Sequence, residues 1–377
     1  MLSPYEASHG GGVERVAYRL GLELKSLDIS VKWISAGTDS VERPCDDDWL
    51  CVPCWNGIEQ RTGIPVPIWG VRALGRLWRE LGRVDVLIVH ESLYMPCIAA
   101  ALFAGMRRKP YLLIQHVGDV PYKSRFVSLI VSLGNRLVTS VMVAHARSVV
   151  FISAAVRDHV GRRRPDARLI PNGVDAVIFA PASAARRDAL RRGLLRDPNR
   201  PALLFVGRFV EKKGLGMLRR LAGVLQAADW YFVGDGPMRP DEWGLSNVFV
   251  KSHLASAGLA QWYSAADLLV LPSYGEGFPL VVQEALACGL QVAIGSEVAV
   301  SLPGVSERVI HLPVDEAGSN TSSWKNAIEA WLDMGDDERA MNALILSDFA
   351  RQSWSWRAAA EAYRDLLDPD PDHPASI

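Results

Sequence analysis

Cysteine is scarce in this sequence, and neither sign of charge is in excess. There are five cysteines among the 377 residues, an odd number, and no secretory signal precedes them. This usage argues against a disulfide framework and favours a reducing compartment. The 41 basic and 42 acidic residues leave a formal net charge of -1, so nothing electrostatic indicates a nucleic-acid partner. We therefore expect a cytoplasmic protein that does not bind nucleic acid.

An uninterrupted apolar run long enough to span a bilayer is also missing. The most apolar stretch of the first half, residues 126–153, is broken by Asn135, Arg136, His145 and Arg147, and we interpret it as a buried core helix. Nearby basic residues leave an alternative open, in which a basic apolar face rests on anionic lipid at the inner face of a membrane. These residues are Arg107, Arg108, Lys109, Lys123 and Arg125.

Two patterns that would indicate a metal site are incomplete. A C-x-x-C pair, Cys51 and Cys54, lies near Cys45 and the aspartates at 46–48. The second pair or closely spaced histidines of a structural zinc site do not follow, and we interpret the stretch as a surface loop. No D-x-D sequence lies in a strand-end turn, so we expect no bound divalent cation.

What the chain does contain is an alternation of short β-branched runs with helical patterns, which is typical of parallel α/β sheets. Its length suits two domains, and residues 171–201, rich in proline, asparagine and arginine and without a strand, indicate the linker. We predict helices over 11–27 and 214–228. The predicted buried strands are 84–90, 110–116, 148–153, 202–207, 230–234, 247–250 and 267–273.

The second half places basic residues beyond the end of a predicted strand. Arg208 follows the strand at 202–207, and Lys213 precedes the next helix. Ligands bind beyond the carboxyl ends of strands in open parallel sheets, and fixed positive charge at a helix N-terminus suits a diphosphate. The alternative is that both side chains are solvated surface charges.

Two glutamates lie eight positions apart in GEGFPLVVQEALACG at 275–289. Glu276 is predicted to lie in a glycine-bearing turn, Pro279 at the first position of a helix, and Glu284 on that helix, with Gly289 at its end. Carboxylates accept hydroxyl donors, so a ribose and a sugar ring are suitable ligands. Alternatively, Glu276 caps the helix and Glu284 is a solvated helix residue.

In their order and spacing, these motifs resemble those of glycosyltransferase family 4, a family of retaining enzymes with the GT-B fold. The resemblance covers most of the chain. The motifs are GGVERVAYRL at 11–20, IPNGVDAVIFAP at 170–181, GRFVEKKG at 207–214, VGDGP at 233–237, AADLLVLPSYGEGFPLVVQEALACG at 265–289 and SWSWRAAAEAYRDLL at 353–367.

The resemblance implies an α/β protein with two Rossmann-like parallel-sheet domains that face a cleft. Residues 1–180 would form the acceptor-binding domain and residues 181–350 the donor-binding domain. Residues 351–377 would form a terminal helix that returns to the first domain, followed by a frayed tail. The first strand looks nearly missing, because MLSPYEASHGGG begins almost at the glycine loop.

The resemblance also implies roles for individual residues. Arg208 and Lys213 would hold the donor diphosphate, and Glu284 the ribose hydroxyls. Glu276, with the amides of Gly277 and Phe278, would contact the transferred sugar. His116 would lie near that sugar, unless it only fills space at its strand end. The backbone of Gly11 and Gly12 would lie near the phosphates.

The implied activity is metal-independent transfer of a hexose from a UDP- or GDP-sugar, without a cofactor. The acceptor would be a glycan or lipid-linked saccharide, as in polysaccharide or lipopolysaccharide biosynthesis. A sugar-nucleotide epimerase of the same fold and a non-catalytic nucleotide-sugar-binding subunit remain alternatives. A dinucleotide oxidoreductase fits worst, since GGGVE at 10–14 lacks the G-x-G-x-x-G spacing.

Some positions bear on which sugars are bound. Pro279 stands where the family often has glycine, and IGSEVAVSLPG at 294–304 replaces a double-glycine turn. Tryptophans of the acceptor domain could stack on sugar rings, although scattered tryptophans more often pack within the protein. They are Trp49, Trp55, Trp69 and Trp78.

Overall fold

The structure, a computed structural model, describes residues 1–6, 12–37, 48–62, 66–116, 136–160, 164–252, 254–274, 276–302, 304–314 and 319–368. The chain divides into two compact units. The first unit is Met1–Asn172 with Trp356–Ile377, and the second unit is Gly173–Ser355. The first division falls after residue 172, whereas the sequence placed the domain boundary between residues 180 and 181.

The first unit is built on an eight-stranded sheet in the order β4-β3-β2-β1-β5-β6-β7-β8. Neighbouring strands are parallel except β3 and β4, which are antiparallel. Its central strands β1, β5 and β6 are buried throughout. The strands are β1 (Leu2–Tyr5), β2 (Trp33–Gly37), β3 (Trp49–Trp55), β4 (Ile68–Trp69), β5 (Leu87–His90), β6 (Tyr111–Gln115), β7 (Ser148–Phe151) and β8 (Arg168–Leu169).

Helices connect these parallel strands, as parallel sheets require. α1 packs on α14, and Arg357 donates a hydrogen bond from Nη1 to Oγ of Ser26 at 3.0 Å. The helices are α1 (Gly12–Ser26), α2 (Gly57–Thr62), α3 (Val71–Leu81), α4 (Met95–Met106), α5 (described over 136–145), α6 (Ala154–Val160) and α14 (Trp356–Leu367).

The second unit has a six-stranded, wholly parallel sheet in the order β11-β10-β9-β12-β13-β14. Its strands are β9 (Ala202–Val206), β10 (Asp229–Val233), β11 (Val248–Lys251), β12 (Leu268–Leu271), β13 (Val292–Gly295) and β14 (Ile310–Leu312). Its helices are α7 (Ala184–Leu194), α8 (Leu215–Val224), α9 (Ser256–Ala265), α10 (Leu280–Ala287), α11 (Ser296–Ala299), α12 (Thr321–Leu332) and α13 (Asp336–Ser353).

The strands predicted from β-branched runs are confirmed, as β5, β6, β7, β9, β10, β11 and β12. The predicted helices over 11–27 and 214–228 are also confirmed, as α1 and α8. The predicted linker contains no strand, but α7 lies within it. Buried parallel strands are continuously apolar, which makes them recognisable without alternation.

The first strand, which the sequence suggested was nearly missing, is present. β1 is fully buried and pairs with β2 and β5 at the centre of the sheet. Its polar residue is satisfied inside the core, because Ser3 Oγ donates to the carbonyl of Tyr5 at 2.7 Å and accepts from Trp33 Nε1 at 2.8 Å. These bonds explain how so polar a sequence forms a central strand.

The surface-loop interpretation of the C-x-x-C stretch is wrong for its described part. Cys51 and Cys54 lie on β3, and neither forms a disulfide with a described residue. Successive side chains of a strand point to opposite faces, so these two thiols lie on opposite faces of the sheet. Cys45 lies outside the described residues. Within the described ranges, no cluster of histidine, cysteine or acidic residues could hold a metal ion.

The apolar stretch at 126–153 is only partly described. α5 buries Thr139, Met142 and Val143, as expected of a core helix, while Leu137 and Val141 are more than half exposed. No helix within the described ranges is long and apolar enough to cross a membrane.

Candidate active site

The residues predicted to bind a diphosphate lie where the strand order of the second sheet reverses. β9 lies between β10 and β12. After β9 the chain adds β10 and β11 on one side of it, and then β12, β13 and β14 on the other side. Open α/β sheets bind ligands at such a position, beyond the carboxyl ends of the strands. Arg208 is exposed two residues after the end of β9, and Lys213 ends a short 3-10 helix, Glu211–Lys213, before α8.

Glycines allow the loops at this edge to touch. Gly214 has a φ of 77°, and a Cβ there would lie 2.1 Å from the carbonyl oxygen of Pro272, after β12. A Cβ on Gly234 would lie 2.0 Å from the carbonyl oxygen of Gly207. Only glycine permits both approaches. The loop after β9 is further fixed to β12, because Tyr274 N–H donates to the carbonyl of Lys212 at 3.1 Å.

Lys213 and Glu276 form an ion pair across this edge. Lys213 Nζ lies 2.7 Å from Glu276 Oε1, and the two side chains are only 17% and 12% exposed. Burial alone would raise the pKa of Glu276, but the ammonium groups of Lys213 and Lys212 outweigh it and hold that pKa below its ordinary value. Glu276 is therefore an ionised carboxylate, and the helix-cap alternative does not describe its contact.

Glu284 lies on α10, as predicted, but it is buried rather than solvated. It is 4% exposed, and its Oε2 accepts a hydrogen bond from the hydroxyl of Tyr263 on α9 at 3.1 Å. Pro279 is the residue before α10 and not its first residue. Sequence reasoning did not identify Tyr263, because its contact depends on how α9 packs against α10.

The turn between Glu276 and α10 is fixed from both sides. The carbonyl of Gly277 accepts a hydrogen bond from Ser301 Oγ at 2.9 Å. The ring of Phe278 is buried against Trp354 at a centroid distance of 5.4 Å in an edge-to-face arrangement. The backbone that presents Glu276 is therefore rigid, although Phe278 contributes its side chain to the core.

In the first unit, His116 follows β6 at the carboxyl edge of the sheet. Its Nε2 lies 3.1 Å from Nδ1 of His90, the last residue of β5. Burial lowers the pKa of His116 to about 3, and burial together with His116 lowers that of His90 well below its usual value. Both imidazoles are therefore neutral at pH 7.

A polar network surrounds this histidine pair, and sequence reasoning missed it. Glu91 accepts from the backbone N–H of His116 at 3.1 Å and from that of Ser92 at 2.9 Å. Ser92 Oγ lies 2.7 Å from Thr139 Oγ1 and accepts from Gln115 Nε2 at 2.7 Å. The available signal was the polar run His-Glu-Ser at the end of a predicted strand.

Further acidic and aromatic residues lie at the same edge. The pKa of Tyr5 is raised by burial and then by a hydrogen bond with Glu59. The pKa of Tyr94 is raised by burial and then by Glu14 and Glu91. Carboxylates from α1, α2 and the loop after β5 therefore lie around two phenols, which gives this edge many hydrogen-bonding oxygens.

Of the tryptophans considered for sugar stacking, three pack within the first unit. Trp49 stacks on Tyr18 at 4.9 Å, Trp69 is 3% exposed, and Trp78 lies edge-on to Phe103 at 5.3 Å. Trp55, at the carboxyl end of β3, is 57% exposed. Only this member of the set offers an open ring.

Some predicted positions lie outside the described residues. These are Gly11, Lys123 and Arg125. Gly12 is described as the first residue of α1, where it is exposed. A Cβ on Gly12 would meet no described atom within 4 Å, so no close backbone approach among the described residues requires glycine there.

Comparison with known families gives matches over both units. The profile described as Glycosyltransferase Family 4 matches residues 10–177, and the profile described as Glycosyl transferases group 1 matches residues 200–333.

Curated relatives are glycosyltransferases and sugar-phosphate synthases. D-inositol 3-phosphate glycosyltransferase of Thermobispora bispora is 32% identical over 267 residues, which are 63% of this chain and 58% of that protein. α-maltose-1-phosphate synthase of Mycobacterium tuberculosis is 26% identical over 304 residues, 74% of this chain and 78% of that protein. The match thus spans less than two thirds of the length of the first relative.

Solved structures with the same fold cover almost the whole chain. Sucrose-phosphate synthase from Thermosynechococcus elongatus has a TM-score of 0.73 at 19% identity and covers 95% of this chain and 94% of that one. Anabaena HepE in complex with UDP-glucose has a TM-score of 0.71 at 17% identity and covers 97% and 98%. The chain belongs to glycosyltransferase family 4, and its two parallel-sheet α/β units are those of the GT-B fold that the sequence predicted.

Proposed function

We propose that this protein is a retaining glycosyltransferase that moves a hexose from a UDP- or GDP-sugar to a glycan or lipid-linked saccharide. The observation that carries the proposal is the largely buried Lys213–Glu276 ion pair at the switch point of the second sheet. It puts a cation suited to phosphate beside a carboxylate suited to sugar hydroxyls.

The donor diphosphate binds to the positive charge after β9. Lys212, Lys213 and Arg208 lie close enough together to interact electrostatically. Three cations at a strand end can neutralise the charge that develops on a departing nucleotide diphosphate. We infer that transfer proceeds without a divalent cation, so chelation by EDTA leaves the rate unchanged.

Retention of configuration is supported because neither Glu276 nor His116 is suited to act as the general base that an inverting transfer requires. Glu276 has a lowered pKa and is paired with Lys213, so it is a poor general base for an acceptor hydroxyl. His116 is neutral and remains so far below pH 7. We infer that the departing donor phosphate takes the proton of the acceptor hydroxyl on the same face of the sugar.

The acceptor binds at the carboxyl edge of the first sheet. The carboxylates of Glu14, Glu59 and Glu91 and the exposed ring of Trp55 suit a hydroxyl-rich saccharide, since carboxylates accept from hydroxyls and aromatic rings stack on sugar faces. An epimerase has no use for such a surface, which favours the transferase.

The relatives are consistent with this proposal. The curated names describe an inositol 3-phosphate glycosyltransferase and a maltose-1-phosphate synthase, and HepE is solved with UDP-glucose. We infer a nucleotide-sugar donor for this chain from the same site chemistry.

The test is release of nucleoside diphosphate from UDP- and GDP-hexoses, with and without an oligosaccharide or lipid extract as acceptor. Acceptor-stimulated release with retention at the anomeric carbon supports the proposal. Acceptor-independent conversion of the donor to its epimer would identify an epimerase. Binding without turnover under every condition would identify a nucleotide-sugar-binding subunit.

We further infer contact with anionic lipid through a basic apolar surface on α3 and α4. Val71, Leu102 and Met106 are 85%, 61% and 65% exposed. The guanidinium of Arg107 lies 4.1 Å from the ring centroid of Trp78 and contributes charge at the same helix pair. The cysteines in the described part of the chain form no disulfide, which fits a reducing compartment, and we infer that the contacted leaflet is the cytoplasmic one.

Cosedimentation with anionic and zwitterionic vesicles tests this contact. Leu102→Asp and Met106→Asp should abolish binding to anionic vesicles, while Met341→Asp, at an equally exposed position on α13, should not. Equal binding by all three variants would remove the α3–α4 surface from the proposal.

A further inference from the structure

Among the described residues, the side chain of His90 makes the side-chain hydrogen bond of His116. The register of β5 and β6 pairs His90 with Ile114, which places it beside the end of β6. The two rings are nearly parallel, at 18° and a centroid distance of 5.3 Å, and the nitrogens His90 Nδ1 and His116 Nε2 are 3.1 Å apart.

Because both rings are neutral, this contact can form in only two ways. A neutral imidazole has one nitrogen that donates and one that accepts. Either His90 Nδ1 donates to His116 Nε2, or His116 Nε2 donates to His90 Nδ1. The choice fixes the tautomer of both rings, and therefore what the outer nitrogen of His116 can do.

The outer nitrogens distinguish the two arrangements. His90 Nε2 and His116 Nδ1 are both buried without a hydrogen-bond partner among the described residues. If His116 donates, the spare N–H is His90 Nε2, in a residue that is wholly buried. A buried N–H donor without an acceptor is unfavourable in free energy, because its lost hydrogen bonds to water are not replaced. If His90 donates, the spare N–H is Nδ1 of His116, which is the less completely buried of the two residues, at 4% against 0% exposed, and follows β6 at the carboxyl edge where open α/β sheets bind ligands.

The backbone of His116 is held independently of its ring. Glu91 has a φ of 80° and accepts from the N–H of His116 and of Ser92. A non-glycine residue in this region is strained, and such strain persists where surrounding contacts impose it. Ring and backbone of His116 are thus both fixed by the two residues at the end of β5.

We propose that His90 is a positioning residue, which donates from Nδ1 to Nε2 of His116 and so holds His116 in the tautomer whose Nδ1 N–H donates to an oxygen of the saccharide bound at the carboxyl edge of the first sheet. The tautomer itself follows from the protein alone. Its use on a sugar rests on the proposed function.

The tautomer is measured first, in the ligand-free protein. Histidine is labelled with ¹⁵N, and the signals of His116 are assigned by their loss in His116→Gln. At pH 7 the parent should show His116 protonated at Nδ1 and unprotonated at Nε2. His90→Leu should leave both tautomers populated, whereas His90→Asn, whose amide can occupy the place of Nδ1, should keep the parent pattern. Protonation at Nε2, or a spectrum unchanged by His90→Leu, would overturn the proposal.

The second measurement is turnover of UDP-glucose as the probe donor, with UDP as the probe for nucleotide binding. His90→Leu should lower kcat by between about tenfold and 10²-fold, the usual cost of misplacing a supporting group. KM for UDP-glucose and the affinity for UDP should stay within about twofold, because the contact forms at the saccharide on the first sheet and not at the nucleotide. His90→Asn should recover most of the loss.

The two measurements separate the proposals. A parent protein that neither binds nor turns over any sugar nucleotide would count against the proposed function, and the ligand-free spectra would still decide the role of His90. A kcat for His90→Leu equal to that of the parent, in a protein that does turn over UDP-glucose, would remove the positioning role.

Discussion

Lys213 and Glu276 illustrate how burial changes the contribution of an ion pair to stability. Their atoms are 2.7 Å apart, as are those of Lys325 and Glu329 on α12. The first pair is 17% and 12% exposed and the second is 35% and 42% exposed. Solvent screens the exposed pair, whereas removing one partner of the buried pair leaves a charge without compensation.

We predict that a double-mutant cycle separates these pairs. Lys213→Ala with Glu276→Gln should give a coupling energy above about 1 kcal/mol, while Lys325→Ala with Glu329→Gln should give about 0.5 kcal/mol or less. Urea unfolding of the parent, the single variants and the double variants measures both. Equal coupling in the two pairs would show that the pair at the switch point is not buried in solution.

Glu276 itself should affect transfer more than nucleotide binding. In Glu276→Gln we expect kcat to fall by about 10²-fold or more, because its contacts matter most as charge develops on the sugar. The affinity for the nucleoside diphosphate should change only a few-fold in calorimetric titration. Glu329→Gln is the matched control and should retain full activity. An unchanged kcat in Glu276→Gln would place the sugar elsewhere.

At this scale the sequence identified single positions better than contacts. Arg208, Lys213 and Glu276 were recognisable because they follow strands in turns with glycine. The Lys213–Glu276 pair, the Tyr263–Glu284 bond and the His90–His116 pair were not, since each joins residues far apart in sequence. Such contacts depend on strand register and helix packing, which periodicity does not report.

Among the elements, the loop between β9 and α8 depends on a glycine with a positive φ. Gly214 has a φ of 77°, and a Cβ added there would lie 2.1 Å from the carbonyl oxygen of Pro272. A Cβ added to Gly223 on α8 would meet no described atom within 4 Å. Gly214→Ala should therefore cost about 2 kcal/mol or more of unfolding free energy. Gly223→Ala should be neutral or stabilising, because alanine favours helix.

Thermal unfolding of the two variants tests this contrast, and nucleotide affinity provides a second readout. Gly214→Ala should also weaken binding of the nucleoside diphosphate, because the loop carries Lys212 and Lys213. If Gly214→Ala melts at the temperature of the parent, the close approach to Pro272 does not exist in solution.

The sequence predicted most of the strands with continuous apolar runs, although not the apolar strand β13, and it missed strands without such runs. β12 reads LLVL and was predicted within the stretch 267–273. In contrast, β1 contains Ser3 and Pro4, and β3 contains two cysteines and a proline. β1 forms because its neighbours satisfy Ser3, and β3 because it extends the parallel sheet beside β2. These are tertiary causes that a local pattern does not contain.

For the whole molecule, the buried histidine pair predicts a loss of stability in acid. The pKa of His116 is about 3 and that of His90 is also lowered, by burial first, whereas unfolded histidine titrates near its ordinary value of about 6.5. Below that value the unfolded chain binds protons that the folded chain does not. The free energy of unfolding should fall by about 1.4 kcal/mol per pH unit for each histidine.

Urea unfolding at pH 7 and pH 5 measures this loss in the parent and in His116→Gln. The variant should lose less stability between the two pH values, because one of the two buried bases is gone. His311→Gln, at an exposed histidine of β14, is the control and should behave as the parent does. Equal losses in the parent and in His116→Gln would contradict the buried neutral pair.

The division into units was only partly predictable at this scale. A proline-rich stretch indicated where the domains meet, but the contacts divide the chain after Asn172 and again after Ser355. The assignment of Trp356–Ile377 to the first unit depends on the packing of α14 against α1. A terminal amphipathic helix does not by its own sequence show which unit it joins.

The most direct test of the central claim is the melting temperature of the protein with UDP, GDP, ADP and TDP, each without added metal. A ligand that binds only the folded state raises that temperature. We predict that UDP or GDP raises it, that Lys213→Ala abolishes the shift and that Lys325→Ala keeps it. No shift with any nucleotide, or a shift equally large in Lys213→Ala, would contradict a diphosphate site at the end of β9.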